Sequence, residues 1–485
     1  MKHTDAQRLT DTYASSPIYA RANWGTPTLV VLLALVIPLL VASAASRPQA
    51  DVNWPLILLI TGLAGTRVGV LLGQGVARLY LFTFYLYVYV FLGLAPLVQL
   101  AAGQFPGLTP GVHRGDVGEA IVIVLLGLFA FEATYLVSQR RQAHREHELT
   151  LAPTEVSHGP ERPGKIYAVL LSSLAIAIAF ITVVGPGSFL LTRGELFTSI
   201  DASVASTSGA SLVRGLAIGS LLVAYVTGVT YLRTSKSSSR PGLVLFVAAA
   251  GLLSLFMTNI FNSPRYIAIV VLIALVSPFG VYAGAKRVRL VFAMALVGLI
   301  FVFPILGSLR NSRSLASINT ELAEVFAAGD YDSFAQIVNT VSYVEAQGHT
   351  GGRQLLGAML VWVPRTLWPD KPVGTSSTVA TFMNYEFTNL SSPLWAEFYI
   401  DFGFLGILAG FCAIAGLGAR LDSSIIRALD TSNSLPISAA IVPFYCIIIL
   451  RGSLLSTIPV LLVVLAALLV VSSSSRPGRQ ESFRA

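Results

Sequence analysis

Residues 454–472 read LLSTIPVLLVVLAALLVVS, a run without a charged residue. An α-helix needs about 20 such residues to cross the hydrocarbon core of a bilayer. Because lipid offers the backbone no hydrogen-bonding partners, a segment of this kind is expected to be helical. Apolar runs near the spanning length of about 20 residues lie at roughly 28–45, 55–72, 79–100, 117–138, 166–184, 212–232, 241–260, 265–283, 289–309, 394–418, 435–450 and 454–472.

The composition of the whole chain also indicates a membrane environment. Of its 485 residues, 54% are hydrophobic and only 12% are charged, and the mean hydropathy is +0.73. A soluble fold of this size needs more charge to cover its surface. The sequence therefore predicts an all-α polytopic integral membrane protein with about twelve transmembrane helices.

Several classes of function are disfavoured by what the sequence lacks. The formal charge of the chain is +8, and its basic residues lie between the apolar runs. Membrane topology and phosphate contacts explain basic residues at such positions, so no nucleic-acid partner is expected. Cys412 and Cys446 lie inside apolar runs and form no C-x-x-C pair, which argues against a disulfide framework or a zinc site. The chain contains no G-x-x-x-x-G-K-[ST], H-E-x-x-H or G-x-S-x-G motif. We expect neither a metal nor another cofactor.

The distribution of lysine and arginine predicts the orientation of the chain in the membrane. With both termini in the cytoplasm, the inner segments hold twenty of these residues and the short outer segments hold six. Positively charged loops tend to remain cytoplasmic. The predicted organisation is membrane helices 1–9 within 1–309, an extracytoplasmic loop at 310–393, helices 10–12 within 394–472 and a cytoplasmic tail at 473–485.

The long outer loop carries patterns of ordered structure. Phe334, Ile337, Val338, Val341 and Val344 recur at helical spacing after Asp332, which predicts an amphipathic helix on the outer surface with Asp332 as its N-cap. Asp332 and Asp330 also form an Asp-x-Asp pair, for which the helix cap is a better explanation than a metal site. The apolar run 355–363 is too short to span a bilayer and is predicted to be re-entrant or interfacial, ending at Pro364.

Cations on the predicted outer side are candidates for binding a phosphate group. Arginine offers a planar fork of donors that suits phosphate, although single residues of this kind also extend to lipid headgroups. The set consists of Arg214, Arg265, Arg310, Arg313, Arg353, Arg365, Lys371 and Arg451.

Two segments concentrate residues that can do chemistry. The segment VPRTLWPDKP, residues 363–372, is stiffened by prolines and holds Arg365 and Lys371 beside Trp368, an aromatic anchor. The segment SSPLWAEFYIDFGFLG, residues 391–406, places Glu397 and Asp401 on one helical face. The alternatives are an interfacial anchor without chemistry for the first segment and a structural arginine partner for the acidic pair.

Three further residues have competing explanations. His349 is the only histidine of the loop, so it is either a general base or a solvated side chain. Arg67 and Glu132 both fall in the inner half of the membrane, where a structural ion pair explains them better than a function does.

The sequence resembles the O-antigen polymerase family, the oligosaccharide repeat-unit polymerases of bacterial cell envelopes. The likeness lies in the many helices, the large outer loop, the P-R-x-L-W-P-x-K-P segment at 364–372 and the E-F-Y-x-D-F-G-x-x-G segment at 397–406. This resemblance implies a GT-C-like membrane glycosyltransferase that joins repeat units carried on undecaprenyl pyrophosphate, at the outer face of the bacterial cytoplasmic membrane. It also implies a chain-length regulator and a flippase of the same pathway as partners.

The resemblance also implies roles for individual residues. Arg365 and Lys371 are the first expected contacts of the leaving pyrophosphate, with Arg265, Arg310 and Arg451 around them. Glu397 is the leading choice for the base that accepts the proton of the attacking hydroxyl, and His349 is the second.

Three alternatives remain open from the sequence. An O-antigen ligase would share the helices, the loop and the cations but transfer a finished glycan to another acceptor. A lipid-linked oligosaccharide flippase should show two related halves and a polar path at mid-membrane, and neither is apparent. A transferase that uses lipid-phosphate sugars would place its base in the first outer loop, where Asp51 is available.

Overall fold

In a computed structural model of the chain, regular structure is helical throughout the described residues, and no strand occurs among them. The structure describes residues 25–47, 50–149, 163–191, 195–196, 198–200, 207–235, 241–259, 263–302, 305, 322–432 and 435–472.

Each of the twelve apolar runs corresponds to a helix. Eight are long and apolar enough to cross a membrane, which is the architecture of a polytopic membrane protein. These eight spans are α1 (Gly25–Ala45), α2 (Trp54–Gln74), α3 (Leu79–Ala102), α4 (Val117–Leu149), α5 (Pro163–Val184), α6 (Thr207–Thr234), α14 (Leu394–Ser432) and α16 (Leu454–Ser472).

The other four apolar runs form shorter or more charged helices. They are α7 (Pro241–Met257), α8 (Arg265–Val276), α9 (Ala285–Val297) and α15 (Ile437–Arg451). The loop between α9 and α14 contains the remaining elements α10 (Leu322–Phe326), α11 (Ser333–Gln347), α12 (Arg353–Met359) and α13 (Thr375–Phe382).

The described residues fall into two compact units that each combine separate parts of the chain. The first unit takes 1–141, 280–433 and 446–457, and the second takes 142–279, 434–445 and 458–485. The first unit therefore contains α1–α3, residues 117–141 of α4, α9, α14 and the whole described part of the outer loop. Every candidate site residue of 349–401 lies in it.

An aromatic cluster fills the interior of the first unit. Trp395 is fully buried, stacks near Phe84 and Phe411, and donates from Nε1 to the carbonyl of Val124 over 3.2 Å. Gly127 makes room for this indole, since a Cβ there would lie 2.2 Å from Nε1. The tryptophan of the SSPLW segment is thus a core anchor that fixes the start of α14.

The second unit has an aliphatic core of its own. Leu170 of α5, Leu221 of α6 and Leu243 of α7 are completely buried in it, and Ile441 of α15 and Val464 of α16 also contribute. Large apolar side chains of α5, α6 and α7 are also exposed, as expected for helices that lie in a bilayer.

The helix predicted after Asp332 is present, but its predicted surface location is wrong. Helix α11 begins at Ser333, and Phe334, Ile337, Val338 and Val341 are fully buried as the helical pattern indicated. Its polar side is buried as well, because every residue of 333–341 lies inside the protein. Asp332 occupies the N-cap position, yet its side chain makes no capping hydrogen bond.

Helix α14 is broken where the sequence predicted continuous helix. Gly403 has φ 61° and ψ −145°, a left-handed backbone conformation that only glycine adopts without strain. Just beyond the break, a Cβ on Gly406 would lie 2.4 Å from the carbonyl oxygen of Phe398. The break leaves carbonyl groups before Gly403 available to the outer loop.

Candidate functional site

The outer loop is attached to α14 at the break. Backbone N–H groups of Thr350 and Gly351 donate to the carbonyls of Ile400 and Asp401, at 2.8 and 3.1 Å. The Asp401 carboxylate accepts from the N–H groups of Gln354 and Leu355, at 3.1 and 2.7 Å, and from the hydroxyl of Thr350. Asp401 is 2% exposed. It therefore satisfies the orphan donors at the start of α12 and holds this helix in place.

Two arginines bind three consecutive carbonyl groups at 370–372, and the neighbouring Lys371 binds two other carbonyls. Arg353 donates to the carbonyl of Asp370 over 2.6 Å. Arg365 donates to the carbonyls of Lys371 and Pro372, at 2.6 and 3.1 Å. The ammonium group of Lys371 donates to the carbonyls of Val361 and Val363, at 2.7 and 3.0 Å. We call Arg353, Arg365 and Lys371 the cation cluster.

Among the described residues, no carboxylate forms an ion pair with the cation cluster. Arg67–Glu132, His113–Asp116 and Arg451–Asp332 are ion pairs in this part of the chain, and none of the three involves the cluster. Burial lowers the pKa of the Lys371 ammonium group, and the positive charge of the neighbouring Arg365 lowers it further. Arg353 and Arg365 are exposed, and each guanidinium has N–H groups beyond those that bind these carbonyls. The arrangement is suited to binding an anion with several oxygen atoms.

Glu397 is buried and accepts a hydrogen bond at each carboxylate oxygen. It is 3% exposed and accepts from the hydroxyl of Thr375 over 2.9 Å and from the N–H of Leu454 over 3.2 Å. The side chains of Ser392 and Ser453 also face this carboxyl group. Glu397 therefore joins the starts of α13, α14 and α16, and its oxygens have no open direction.

Arg451 pairs with Asp332 rather than with Glu397 or Asp401. Its guanidinium donates to a carboxylate oxygen of Asp332 over 3.0 Å and to the carbonyl of Asp330 over 3.1 Å. Asp332 is completely buried and also accepts from the N–H of Ser391. Burial raises the pKa of Asp332, and the charge of Arg451 opposes that rise. This ion pair fixes the start of α11 against the end of α15.

His349 is exposed and its ring is oriented by the broken helix. Its Nδ1 lies 3.0 Å from the carbonyl oxygen of Tyr399, and the two rings make an edge contact at 5.6 Å. A carbonyl only accepts hydrogen bonds, so Nδ1 carries the proton and the neutral ring keeps its lone pair on Nε2. Of the two predicted bases, His349 has a free acceptor atom and Glu397 does not.

The remaining predicted cations lie elsewhere. Arg214 and Arg265 belong to the second unit, where both are buried and Arg214 donates to the hydroxyl of Ser263 over 3.0 Å. Ser263 lies two positions before Arg265, so these two arginines are neighbours within that unit. Arg310 and Arg313 lie outside the described residues.

The structural explanation for Arg67 and Glu132 is confirmed. The two side chains form an ion pair, and the hydroxyl of Tyr85 donates to the Glu132 carboxylate over 2.5 Å. Asp51 is buried and accepts from the N–H of Asn53 over 2.9 Å, which is a local turn contact before α2.

Sequence reasoning missed two buried aspartates that join distant parts of the chain. Asp422 is completely buried and accepts from the N–H groups of Tyr80 and Leu81 at the start of α3. Asp116 accepts from the hydroxyl of Ser342 and lies 2.7 Å from Nδ1 of His113. The available signal was an aspartate in an apolar helix for Asp422, and the pattern H-x-x-D before α4 for Asp116.

Comparison of the chain with protein-family models, with characterised proteins and with solved structures gives no match.

Proposed function

We propose that this protein is a membrane glycosyltransferase that polymerises oligosaccharide repeat units carried on undecaprenyl pyrophosphate. The observation that supports the proposal best is the cation cluster, in which three positive side chains share no carboxylate partner among the described residues. A pyrophosphate is a multivalent anion, and preorganised arginine donors bind such groups through several oxygen atoms at once.

The position of the cluster suits a lipid-borne substrate. Helix α12, which carries Arg353, is held by Asp401 near the start of α14. Its Gly357 is packed closely against Pro372 and Leu455, and Leu455 lies in the first turn of α16. Both α14 and α16 are candidate spans, so the cluster lies near the end of membrane helices. Lipid phosphates lie at that depth of a bilayer.

The proposed reaction is the transfer of a glycosyl group. The bond between the anomeric carbon and the pyrophosphate oxygen breaks, and the electron pair leaves with the pyrophosphate. A hydroxyl oxygen of the acceptor unit forms the new bond to that carbon. The cation cluster stabilises the developing negative charge, which is the usual role of positioned donors in such a step.

The proton of the acceptor hydroxyl needs a base, and we assign it to Nε2 of His349. This atom is free while Nδ1 is held by the carbonyl of Tyr399. His349 lies four residues before Arg353, a separation that the backbone spans in at most about 14 Å. Glu397 is assigned a positioning role, because its carboxyl group organises Thr375 and Leu454.

The cellular consequence can be read from the surface glycan. In cells that lack the gene, complementation with wild type should restore a ladder of long chains, while Arg353→Gln/Arg365→Gln and His349→Gln should leave only single repeat units. Lys286→Gln is the matched control, since Lys286 is an exposed cation of α9. Accumulation of long lipid-linked chains in the deletion strain would instead identify a ligase, and an unchanged ladder would refute both.

A further inference from the structure

An exposed apolar edge runs beside the cation cluster. Large apolar side chains in loops that face water are usually buried or few in number. Five such side chains are instead 48–79% exposed within 356–373. They are Leu356 (48%), Met359 (59%), Trp362 (58%), Leu367 (79%) and Val373 (50%).

Helix α12 joins this edge to the cations. Arg353, Leu356 and Met359 are spaced three residues apart and are all exposed, while Gln354, Gly357 and Ala358 are buried. The exposed face of the helix therefore begins with a cation and continues with apolar side chains. An amphipathic molecule with a phosphate head and a hydrocarbon chain matches this order.

The same order occurs in the segment that follows α12. Arg365 is exposed and stands between Trp362 and Leu367, the most exposed apolar residue of the edge. The predicted anchor Trp368 is only half-buried, whereas Trp362 is largely exposed. Cations and apolar side chains thus alternate along one stretch, and the guanidinium groups are fixed to the carbonyls of 370–372.

We propose that this edge seats the first isoprene units of the substrate's polyisoprenoid chain, next to the pyrophosphate that the cation cluster binds. The inference rests on the proposed function and adds the part of the substrate that the apolar side chains recognise. The edge lies near the ends of α14 and α16. The polyisoprenoid chain of the substrate therefore enters the edge from the side, out of the lipid, while the glycan stays on the water side.

The test compares lipid chains of different length on the purified full-length protein. Pyrophosphate-linked repeat units with an undecaprenyl chain, and with an ethyl group in place of that chain, are supplied to wild type, Met359→Ser and Leu367→Ser. The undecaprenyl substrate should show a KM raised by about tenfold in each variant, the factor expected when one large apolar side chain loses its contact. The KM of the short substrate should change less, and kcat should stay the same.

Leu405→Ser is the control, since Leu405 is 76% exposed on α14 and lies outside the edge. Equal KM values for wild type and the edge variants on the long substrate would overturn the inference while leaving the glycosyltransferase intact, and would assign the edge to bulk lipid. Absence of turnover by wild type on both substrates would refute the proposed function itself.

A second measurement does not depend on turnover. A benzophenone side chain introduced at Leu367 should crosslink to the polyisoprenoid substrate, and excess unlabelled undecaprenyl pyrophosphate should compete with this crosslink. Crosslinks to phospholipid alone, without competition, would contradict the proposal.

Discussion

Burial separates the polar residues of the outer loop into those that hold the fold and those that remain open to a ligand. Glu397 and Asp401 are 3% and 2% exposed, and backbone N–H groups and hydroxyls occupy both carboxylates. Arg353, Arg365 and His349 are exposed. The sequence predicted that Glu397 and Asp401 share a helical face, but partners 22 and 46 residues away satisfy their carboxylates.

The buried pair of Asp332 and Arg451 should behave as a coupled unit. Arg451→Met leaves the Asp332 carboxylate buried without its counter-charge, so we expect it to lower the free energy of unfolding by about 3–5 kcal/mol. Asp332→Asn combined with Arg451→Met should lower it by less than the sum of the single changes. Unfolding of the purified protein in a denaturing detergent series measures these differences. Additive losses would contradict the pairing.

The contact between His113 and Asp116 predicts a dependence of stability on pH. The hydrogen bond and charge of Asp116 raise the pKa of His113 above its ordinary value of 6.5, and Glu345 adds to the rise. A raised pKa in the folded state means that the pair contributes fully below pH 6.5 and that this contribution is lost as pH rises through the higher pKa. Both charged groups that raise this pKa, Asp116 and Glu345, are acidic.

His113→Gln tests this dependence. The melting temperature of wild type should exceed that of the variant most at pH 5.5 to 6.5, and the difference should shrink as pH rises above that range. A difference that grows with pH, or that is absent throughout, would show that Asp116 does not hold a protonated His113.

At the scale of elements, the apolar pattern predicts where helices occur but not how each one is partnered. The pattern of 333–344 predicted the helix and its buried apolar residues. It could not show that Gln336, Asn339 and Thr340 on the other side are also covered, since that depends on α3, α13 and α14 from distant parts of the sequence. The periodicity of apolar residues in one helix identifies only its apolar face, and it does not show whether the polar face is covered by other helices.

The break in α14 is an element that sequence reasoning should have found. Gly403 and Gly406 lie close together after an aspartate in an apolar helix, a pattern that permits a local change of backbone direction. The positive φ at Gly403 exposes the carbonyls that receive His349 and Thr350. The break is thus what attaches the proposed base to the helix.

Gly403→Ala should disturb this attachment. The substitution forces a side chain into the left-handed region and places a Cβ 3.0 Å from the His349 ring, so we expect a loss of about 1–3 kcal/mol in stability. The comparison is Gly416→Ala in the same helix, where an added Cβ meets nothing closer than 3.9 Å. Melting temperatures that fall equally for both variants would contradict a special role for Gly403.

At the scale of the whole molecule, hydropathy alone predicted the membrane class and the helical content. All twelve apolar runs contain helices, and eight satisfy the length and hydropathy of a membrane span. The sequence did not predict that each compact unit combines separate ranges of the chain, because this depends on which helices pack together and not on their composition. Orientation and function remain proposals that rest on the distribution of charge and on the cation cluster.

The most direct test of the central claim is turnover by the purified protein in lipid nanodiscs. With an undecaprenyl-pyrophosphate-linked repeat unit as substrate, we expect longer glycans together with release of undecaprenyl pyrophosphate. Arg353→Gln/Arg365→Gln should reduce kcat by about 100-fold or more, as expected for the loss of preorganised donors to a leaving anion. Lys286→Gln should match wild type. Elongation by the double variant at the wild-type rate would contradict the assignment of the leaving-group site to the cation cluster.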